Sequence, residues 1–120
     1  MRIDYDLVRR ILLKVEGDVD GDINYPITEY CEQNFADVDL KKRLYHFKYL
    51  IKSGMIEASN SYFTDLTSDG HDFAFDIHSD TVWNRTKEAF KPLGEVGIKV
   101  VATIASELVK EFLFKGHRPF

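Results

Sequence analysis

A mainly helical α+β fold is predicted by two features in the middle of the chain. Residues 39–54 carry the hydrophobic spacing of one amphipathic helix, and two short strand-like segments around a small polar turn follow it. A helix that leads directly into such a hairpin is typical of a winged helix-turn-helix, in which the hairpin is the wing. Helical periodicity returns after the hairpin. The sequence therefore predicts a winged helix-turn-helix with additional C-terminal helices.

The size and composition of the chain suit one domain. Its 120 residues are enough for a single modest core, and a hydrophobic content of 44% with 30% charged residues is typical of a globular protein. We expect a single domain over residues 1–120, with a winged-helix core in residues 1–66 and C-terminal helices in residues 67–114. The wing hairpin is expected at about 55–66.

The expected cellular setting follows from three further features. No apolar run approaches the length of about 20 residues that spanning a bilayer requires. The N-terminus lacks the charged-then-apolar pattern of a signal peptide. The single cysteine, Cys31, cannot form an internal disulfide, which fits a reducing compartment. We therefore expect a cytoplasmic protein with no membrane partner.

The first helix is predicted over residues 4–16. Asp4 or Asp6 can cap its start, and Gly17 can end it. Five apolar residues follow the spacing of a buried stripe: Leu7, Val8, Ile11, Leu12 and Val15. The alternating acids at Asp18, Asp20 and Asp22 resemble a calcium loop, but the glycine falls at the fourth position of the pattern and not the sixth. A solvated acidic loop is favoured, and we expect no metal site.

A short second helix is predicted after an extended segment at residues 24–27, where the residue before Pro26 avoids the helical conformation. The helix is expected over residues 28–35 with Thr28 as its cap. Four side chains would face inward: Ile27, Tyr30, Cys31 and Phe35. No His or Lys adjoins Cys31 in sequence, so a core thiol is favoured over a nucleophile.

The central helix of residues 39–54 is predicted to have two unlike faces. Asp39 can cap its first turn, and Gly54 can take the left-handed conformation that ends a helix. At about 100° per residue, one sector is apolar and holds Leu40, Leu44, Phe47, Leu50 and Ile51. The opposite sector holds Lys41, Tyr45, Lys48, Tyr49 and Lys52, with Lys42 at its edge.

The hairpin is expected from residues 55–58 and 62–66, around a turn at Ser59-Asn60-Ser61 that carries no Lys or Arg. Such a tip departs from wings that grip a phosphate backbone. Thr67 is the expected cap of the next helix, with Phe73, Ala74 and Ile77 inside.

Two further helices are predicted towards the C-terminus. The first runs over residues 81–90 after a second cap at Ser79-Asp80, and buries Val82, Trp83, Thr86 and Phe90. The last runs over residues 95–114. Its wide apolar face includes Val96, Val100, Val101, Ile104, Ala105, Leu108, Val109, Phe112 and Leu113. Two explanations of this face stay open: it closes a helical layer within the chain, or it forms a homodimer.

Charge is distributed unevenly, although the net charge is -4. Residues 16–39 contain eight acids and no Lys or Arg, whereas residues 40–56 contain five basic residues and no acid. A local basic surface can attract an anion within about 10 Å despite the net charge. The candidate DNA-binding residues are therefore Lys41, Lys42, Arg43, Tyr45, Lys48, Tyr49 and Lys52. The plain alternative is a solvated helix face.

No catalytic motif is present, and we expect neither an enzyme nor a cofactor. The strongest cluster of chemical groups is His71, Asp72, Asp76, His78 and Asp80. Its two histidines are seven positions apart, which on a helix is about 10 Å and too far to share a metal. The metalloprotease spacing, the phosphate-binding loop and the Ser-His-Asp order are absent. His71 is expected to pack beside the wing, with the aspartates in water.

Four stretches together resemble a known family. They are residues 4–13 (DYDLVRRILL), Tyr45-His46 with Leu50 and Ser53-Gly54-Met55-Ile56, residues 66–73 (LTSDGHDF), and residues 80–83 (DTVW). The chain resembles a family of small phage- and prophage-associated bacterial proteins, a domain of unknown function with a winged-helix appearance. The resemblance implies a fold and a context but brings no activity.

Two functional hypotheses follow. The first is a winged-helix protein that binds double-stranded DNA, acts as a dimer through the helix of residues 95–114, and regulates transcription. The alternative is a protein–protein interaction module on the same frame, which binds a host or phage protein and no DNA. The acidic surface and the uncharged wing tip favour the alternative, whereas the basic central helix favours the first.

Overall fold

A computed structural model gives the structure of the protein and describes residues 1–115. These residues form six α-helices, one short 3₁₀-helix and a small three-stranded antiparallel sheet, which confirms the mainly helical α+β class. The elements in chain order are α1 (Tyr5–Asp18), β1 (Tyr25–Pro26), α2 (Ile27–Asn34), α3 (Leu40–Lys52), β2 (Ile56–Ser59), β3 (Tyr62–Leu66), α4 (Ser68–Ile77), α5 (Asp80–Phe90), the 3₁₀-helix (Lys91–Leu93) and α6 (Ile98–Phe114).

The chain divides into two compact units, and the division falls between His71 and Asp72. The expected single domain over residues 1–120, with an inner boundary between residues 66 and 67, stays a prediction. The first unit contains α1 to β3, and the second contains α5 and α6. Within residues 1–115, none of the helices combines the length and the hydropathy that crossing a bilayer requires.

Helix α1 forms as predicted and buries its whole apolar stripe. The buried residues are Leu7, Val8, Ile11, Leu12 and Val15. Asp4 caps the helix, since its carboxylate accepts a hydrogen bond of 3.2 Å from the amide of Leu7. The prediction that Gly17 ends the helix is wrong, because the helix continues to Asp18.

Strand β1 follows the acidic loop and pairs with β3, with Tyr25 opposite Phe63. The sheet order is therefore β1-β3-β2. Helix α2 begins at Ile27, one residue before the predicted start, and Thr28 is not its cap. The amide of Ile27 donates a hydrogen bond of 2.9 Å to the carbonyl of Ser61. This first amide of the helix therefore needs no side-chain cap.

The core of the first unit is an aromatic cluster around β3. Phe63 is fully buried, with its ring centroid 4.8 Å from that of Tyr30 and 5.0 Å from that of Phe47. Tyr25 stacks on Phe63 at 5.2 Å. The predicted hairpin is confirmed, with Asn60 at φ 57° in its turn. The cluster joins α2, α3 and the sheet, and so it sets the position of α3.

In the second unit, α5 packs against α6. Ser79 caps α5, and Val82, Trp83 and Thr86 are buried as predicted, whereas Phe90 is only half-buried. Helix α6 begins at Ile98 and not at Glu95, because Gly94 has φ 78° and Gly97 is extended. The buried face of α6 is narrower than the apolar face that the sequence predicts. Its buried residues are Ile98, Val101, Ala105 and Val109, while Val100 and Leu113 are 44% and 62% exposed.

Asp76 of α4 is a half-buried carboxyl in the second unit. Burial, followed by the charge of Asp72, raises the pKa of Asp76, and Lys110 acts in the opposite direction. A carboxyl whose pKa is raised on folding stabilises the protein below its unfolded-state pKa, and this contribution is lost as the pH rises through the folded-state pKa. At neutral pH the ionised Asp76 is therefore unfavourable.

Asp76→Asn is expected to raise Tm at pH 7 by about 1–3 °C, because the amide removes a partly desolvated charge. The gain should disappear near pH 3, where the aspartate is protonated and resembles the amide. Thermal unfolding followed by circular dichroism at both pH values measures the effect. An equal gain at both values, or a loss at pH 7, would contradict this explanation.

Candidate nucleic-acid interface

Helix α3 is held at both ends in the manner that its sequence predicts. At its start, the Asp39 carboxylate accepts a hydrogen bond of 3.2 Å from the amide of Lys41. At its end, Gly54 takes a φ of 77° and its amide donates to the carbonyl of Ile51. Phe47 and Leu50 are fully buried and hold the helix to the core.

The predicted apolar sector of α3 needs a correction. Leu40 is 51% exposed, because it lies in the first turn beyond the core, and Leu44 and Ile51 are only half-buried. His46 is fully buried in their place. The buried face is therefore rotated towards His46. The sequence did contain a signal for this, since His46 lies beside Phe47 and four positions before Leu50.

His46 connects α3 to the start of α1 through hydrogen bonds at both ring nitrogens. The amide of Asp4 donates to Nε2 at 2.8 Å, so Nε2 must be unprotonated and the hydrogen must lie on Nδ1. Nδ1 then donates to the carbonyl of Lys42 at 2.7 Å. Both polar atoms of this buried ring are satisfied, which removes the cost of burying them. His46 is thus a structural residue that fixes α3 against α1.

An ion pair lies beside this contact. The Lys42 ammonium is 3.0 Å from the Asp4 carboxylate. Burial alone would raise the pKa of Asp4, but hydrogen bonds from Lys42 and from the amide of Leu7 outweigh it and hold that pKa below its usual value. Lys42, at one edge of α3, is therefore already engaged in an ion pair with Asp4.

The exposed face of α3 carries four of the seven predicted DNA-binding residues. They lie within about 60° of one another around the helix and extend along about 16 Å of it. All four are exposed, Tyr45 by 44%, and we call them the lysine strip: Lys41, Tyr45, Lys48 and Lys52. Within residues 1–115, none of the three lysines is paired with a carboxylate. The strip is therefore a line of positive charge open to an anion.

The other three predicted residues are placed differently. Lys42 pairs with Asp4, as described above. Tyr49 is half-buried and hydrogen-bonded to Tyr5 of α1. Arg43 turns inward: its guanidinium donates to the carbonyl of Val38 at 3.0 Å, and within the described residues its buried Nε has no hydrogen-bond partner. Sequence spacing placed Arg43 near the apolar edge but did not show this orientation.

The remaining chemical groups occupy structural positions. His71 Nε2 lies 3.0 Å from the Asp65 carboxylate of β3, so His71 packs beside the hairpin as predicted. Cys31 is fully buried, and burial raises its pKa to about 11, which suits a core thiol and not a nucleophile. In the part of the chain that the structure describes, no group of three or more potential ligands is arranged to hold a metal ion. The absence of enzymatic activity stays a prediction.

In the first unit, negatively charged side chains lie on the acidic loop and on the hairpin. Asp20 accepts hydrogen bonds from the amides of Asp22 and Ile23, which closes a local turn of the acidic loop. This loop lies against β3, since a Cβ on Gly21 would be 3.5 Å from the Asp65 carboxylate. Between residues 16 and 80, every Lys and Arg therefore lies on α3 and none on the hairpin.

Comparison with known proteins places this chain in a family. The family described as "Hypothetical protein (DUF2513)" matches residues 2–95. The chain belongs to the DUF2513 family. An "Uncharacterized protein" of Haemophilus influenzae (strain ATCC 51907 / DSM 11121 / KW20 / Rd) is 28% identical over 122 residues, which span 94% of this chain and 99% of the relative. No solved structure matches the chain.

The DUF2513 match includes the first unit from residue 2 onward and therefore α3, and it ends before α6 begins at Ile98. The predicted resemblance to a domain of unknown function is confirmed in this respect. The phage or prophage context and the winged-helix assignment stay predictions.

Proposed function

We propose that this DUF2513 protein binds double-stranded DNA through the lysine strip of α3. The observation that carries the proposal is the strip itself, with three exposed and unpaired lysines aligned on one face of a helix in residues 1–115. Duplex DNA presents a regular line of phosphates, and lysines that neutralise phosphates release counterions, which drives binding. The major groove is wide enough to admit one α-helix.

The arrangement of elements supports a winged helix-turn-helix frame for this binding. In the structure, α3 leads directly into the hairpin of β2 and β3, and β1 extends the same sheet in the order β1-β3-β2, which favours such a frame. In such a frame, α3 is the recognition helix and the hairpin is the wing. Regulation of transcription in a cytoplasmic, phage-type setting is the use that the frame and the resemblance suggest, by analogy of fold.

A dimer through residues 95–114 is part of this proposal. It is supported by the large apolar side chains that α6 leaves exposed, among them Val100, Leu113 and Phe114.

A fluorescence-anisotropy titration of labelled duplex DNA at low salt tests the proposal. The test variant is K41Q/K48Q/K52Q, in which glutamine keeps the helix propensity and removes three charges. Its affinity should fall at least tenfold, about 1.4 kcal/mol, because three phosphate contacts are lost. The matched control is K91Q/K99Q/K110Q, which removes the same charge from exposed lysines of the second unit. Equal losses in both variants, or no binding by the unmodified protein, would contradict the proposal.

The second candidate is an interaction module that binds a host or phage protein. The exposed apolar residues of α6 favour it, as does the absence of cations from residues 57–66. If the protein is such a module, it should not bind any DNA duplex at low salt. The same titration therefore separates the two functions.

A further inference from the structure

We infer that the lysine strip binds the phosphates of duplex DNA and does not read its base sequence. The inference rests on the proposed DNA binding and names its ligand class, which is double-stranded DNA of any sequence. Any regulation of transcription would then not depend on a particular operator sequence. Three observations support the inference: the types of side chain exposed on α3, the inward orientation of Arg43, and the lack of Lys and Arg on the hairpin.

The exposed face of α3 lacks the side chains that discriminate between bases best. Arginine recognises guanine through the two parallel hydrogen bonds of its rigid fork, and asparagine or glutamine recognises adenine through two hydrogen bonds. Lysine can also contact guanine, but its flexible point charge fixes the geometry less well. The α3 sequence LKKRLYHFKYLIK contains no Asn or Gln. Its only arginine, Arg43, donates to the Val38 carbonyl instead of pointing outward. The most specific group on the helix is thus used inside the protein.

The strip consists of groups that suit phosphate. Lys41, Lys48 and Lys52 each end in a point charge on a flexible stem, and such a group can bind a phosphate whatever base lies next to it. Tyr45 adds one hydroxyl, which suits a phosphate or sugar oxygen. These four groups extend along about 16 Å of the helix and attract phosphates. They do not form the paired donors and acceptors that distinguish one base from another.

The hairpin and the acidic loop contribute no Lys or Arg to the contact. The hairpin turn Ser59-Asn60-Ser61 has no cation, and the strands beside it carry Glu57 and Asp65. Asp20 and Asp22 of the acidic loop are also exposed in the first unit. These carboxylates repel phosphates, so the hairpin adds no second set of contacts. Few contacts and no base reading predict dissociation constants of about 10⁻⁴–10⁻⁶ M at physiological salt, and tighter binding at low salt.

Repeated selection from a pool of random 20-base-pair duplexes tests the inference with the full chain. We expect the selected duplexes to bind within about threefold of the starting pool, and poly(dA)·poly(dT) and poly(dG)·poly(dC) to bind within the same range. In Y45F, affinity should change by the same factor for every duplex. Selected duplexes that bind more than tenfold tighter than the pool would overturn the inference but leave DNA binding intact.

Two other outcomes would overturn the inference together with the proposed function. One is no binding of any duplex at low salt. The other is tighter binding of single-stranded than of duplex DNA of the same sequence.

Discussion

F63A is expected to lower the free energy of unfolding by about 3–5 kcal/mol, the range for removing a buried aromatic ring. Phe63 is fully buried on β3, and its ring contacts those of Tyr25, Tyr30 and Phe47. The alanine variant loses the burial of the ring and leaves a cavity at the point where α2, α3 and the sheet meet. Since domains are stable by only about 5–15 kcal/mol, this is a large share of the total.

Urea unfolding followed by circular dichroism measures the effect of F63A. Y62A is the matched control, because Tyr62 precedes Phe63 on the same strand but is 50% exposed. Its loss should stay below about 1 kcal/mol. The fluorescence of Trp83, the single tryptophan, reports on α5 in the second unit. A loss of less than about 1 kcal/mol in F63A would show that the aromatic cluster does not hold the first unit together.

G70A is expected to destabilise the protein by about 2–3 kcal/mol, even though alanine is the better helix former. A Cβ at residue 70 would lie 2.0 Å from the carbonyl oxygen of Met55 and 3.2 Å from Cβ of Leu66. That carbonyl cannot easily move, because it accepts a hydrogen bond from the amide of Thr67 at 3.0 Å. The side chain of Thr67 also donates to the carbonyl of Gly54. Backbone must therefore shift to admit one methyl group.

G17A serves as the control with the opposite sign. Gly17 lies within α1, and a Cβ there would meet no atom within 4 Å. Alanine should stabilise the helix by up to about 1 kcal/mol. Chemical denaturation of both variants gives the comparison. If G70A is as stable as the unmodified protein, the close approach of α4 to Met55 is wrong.

Local sequence signals predicted the elements whose causes are local. The apolar stripe of α1, the Asp39 cap of α3 and the polar turn after Ser59 each depend on residues a few positions apart. The alignment of Lys41, Lys48 and Lys52 on one face is of the same kind, because helical spacing alone determines it. These features account for most of the candidate interface.

Features that depend on distant residues could not be predicted in this way. The pairing of Tyr25 with Phe63 joins segments far apart in sequence, and a two-residue strand carries too little pattern to indicate it. The inward turn of Arg43 involves a carbonyl only five positions earlier, that of Val38, but it depends on the non-helical conformation of the segment before α3. Likewise, His46 is buried because the amide of Asp4 is available to its ring. None of these three features can be predicted from helical spacing alone.

The salt dependence of duplex affinity tests the central claim most directly, namely that the lysine strip of α3 is a phosphate-binding surface. With three lysines neutralising three phosphates, each bound protomer should contribute about −2.7 to the slope of the logarithm of the binding constant against the logarithm of salt concentration. In K41Q/K48Q/K52Q the slope should approach zero, and in K91Q/K99Q/K110Q it should stay unchanged. An unchanged slope in K41Q/K48Q/K52Q would contradict the claim.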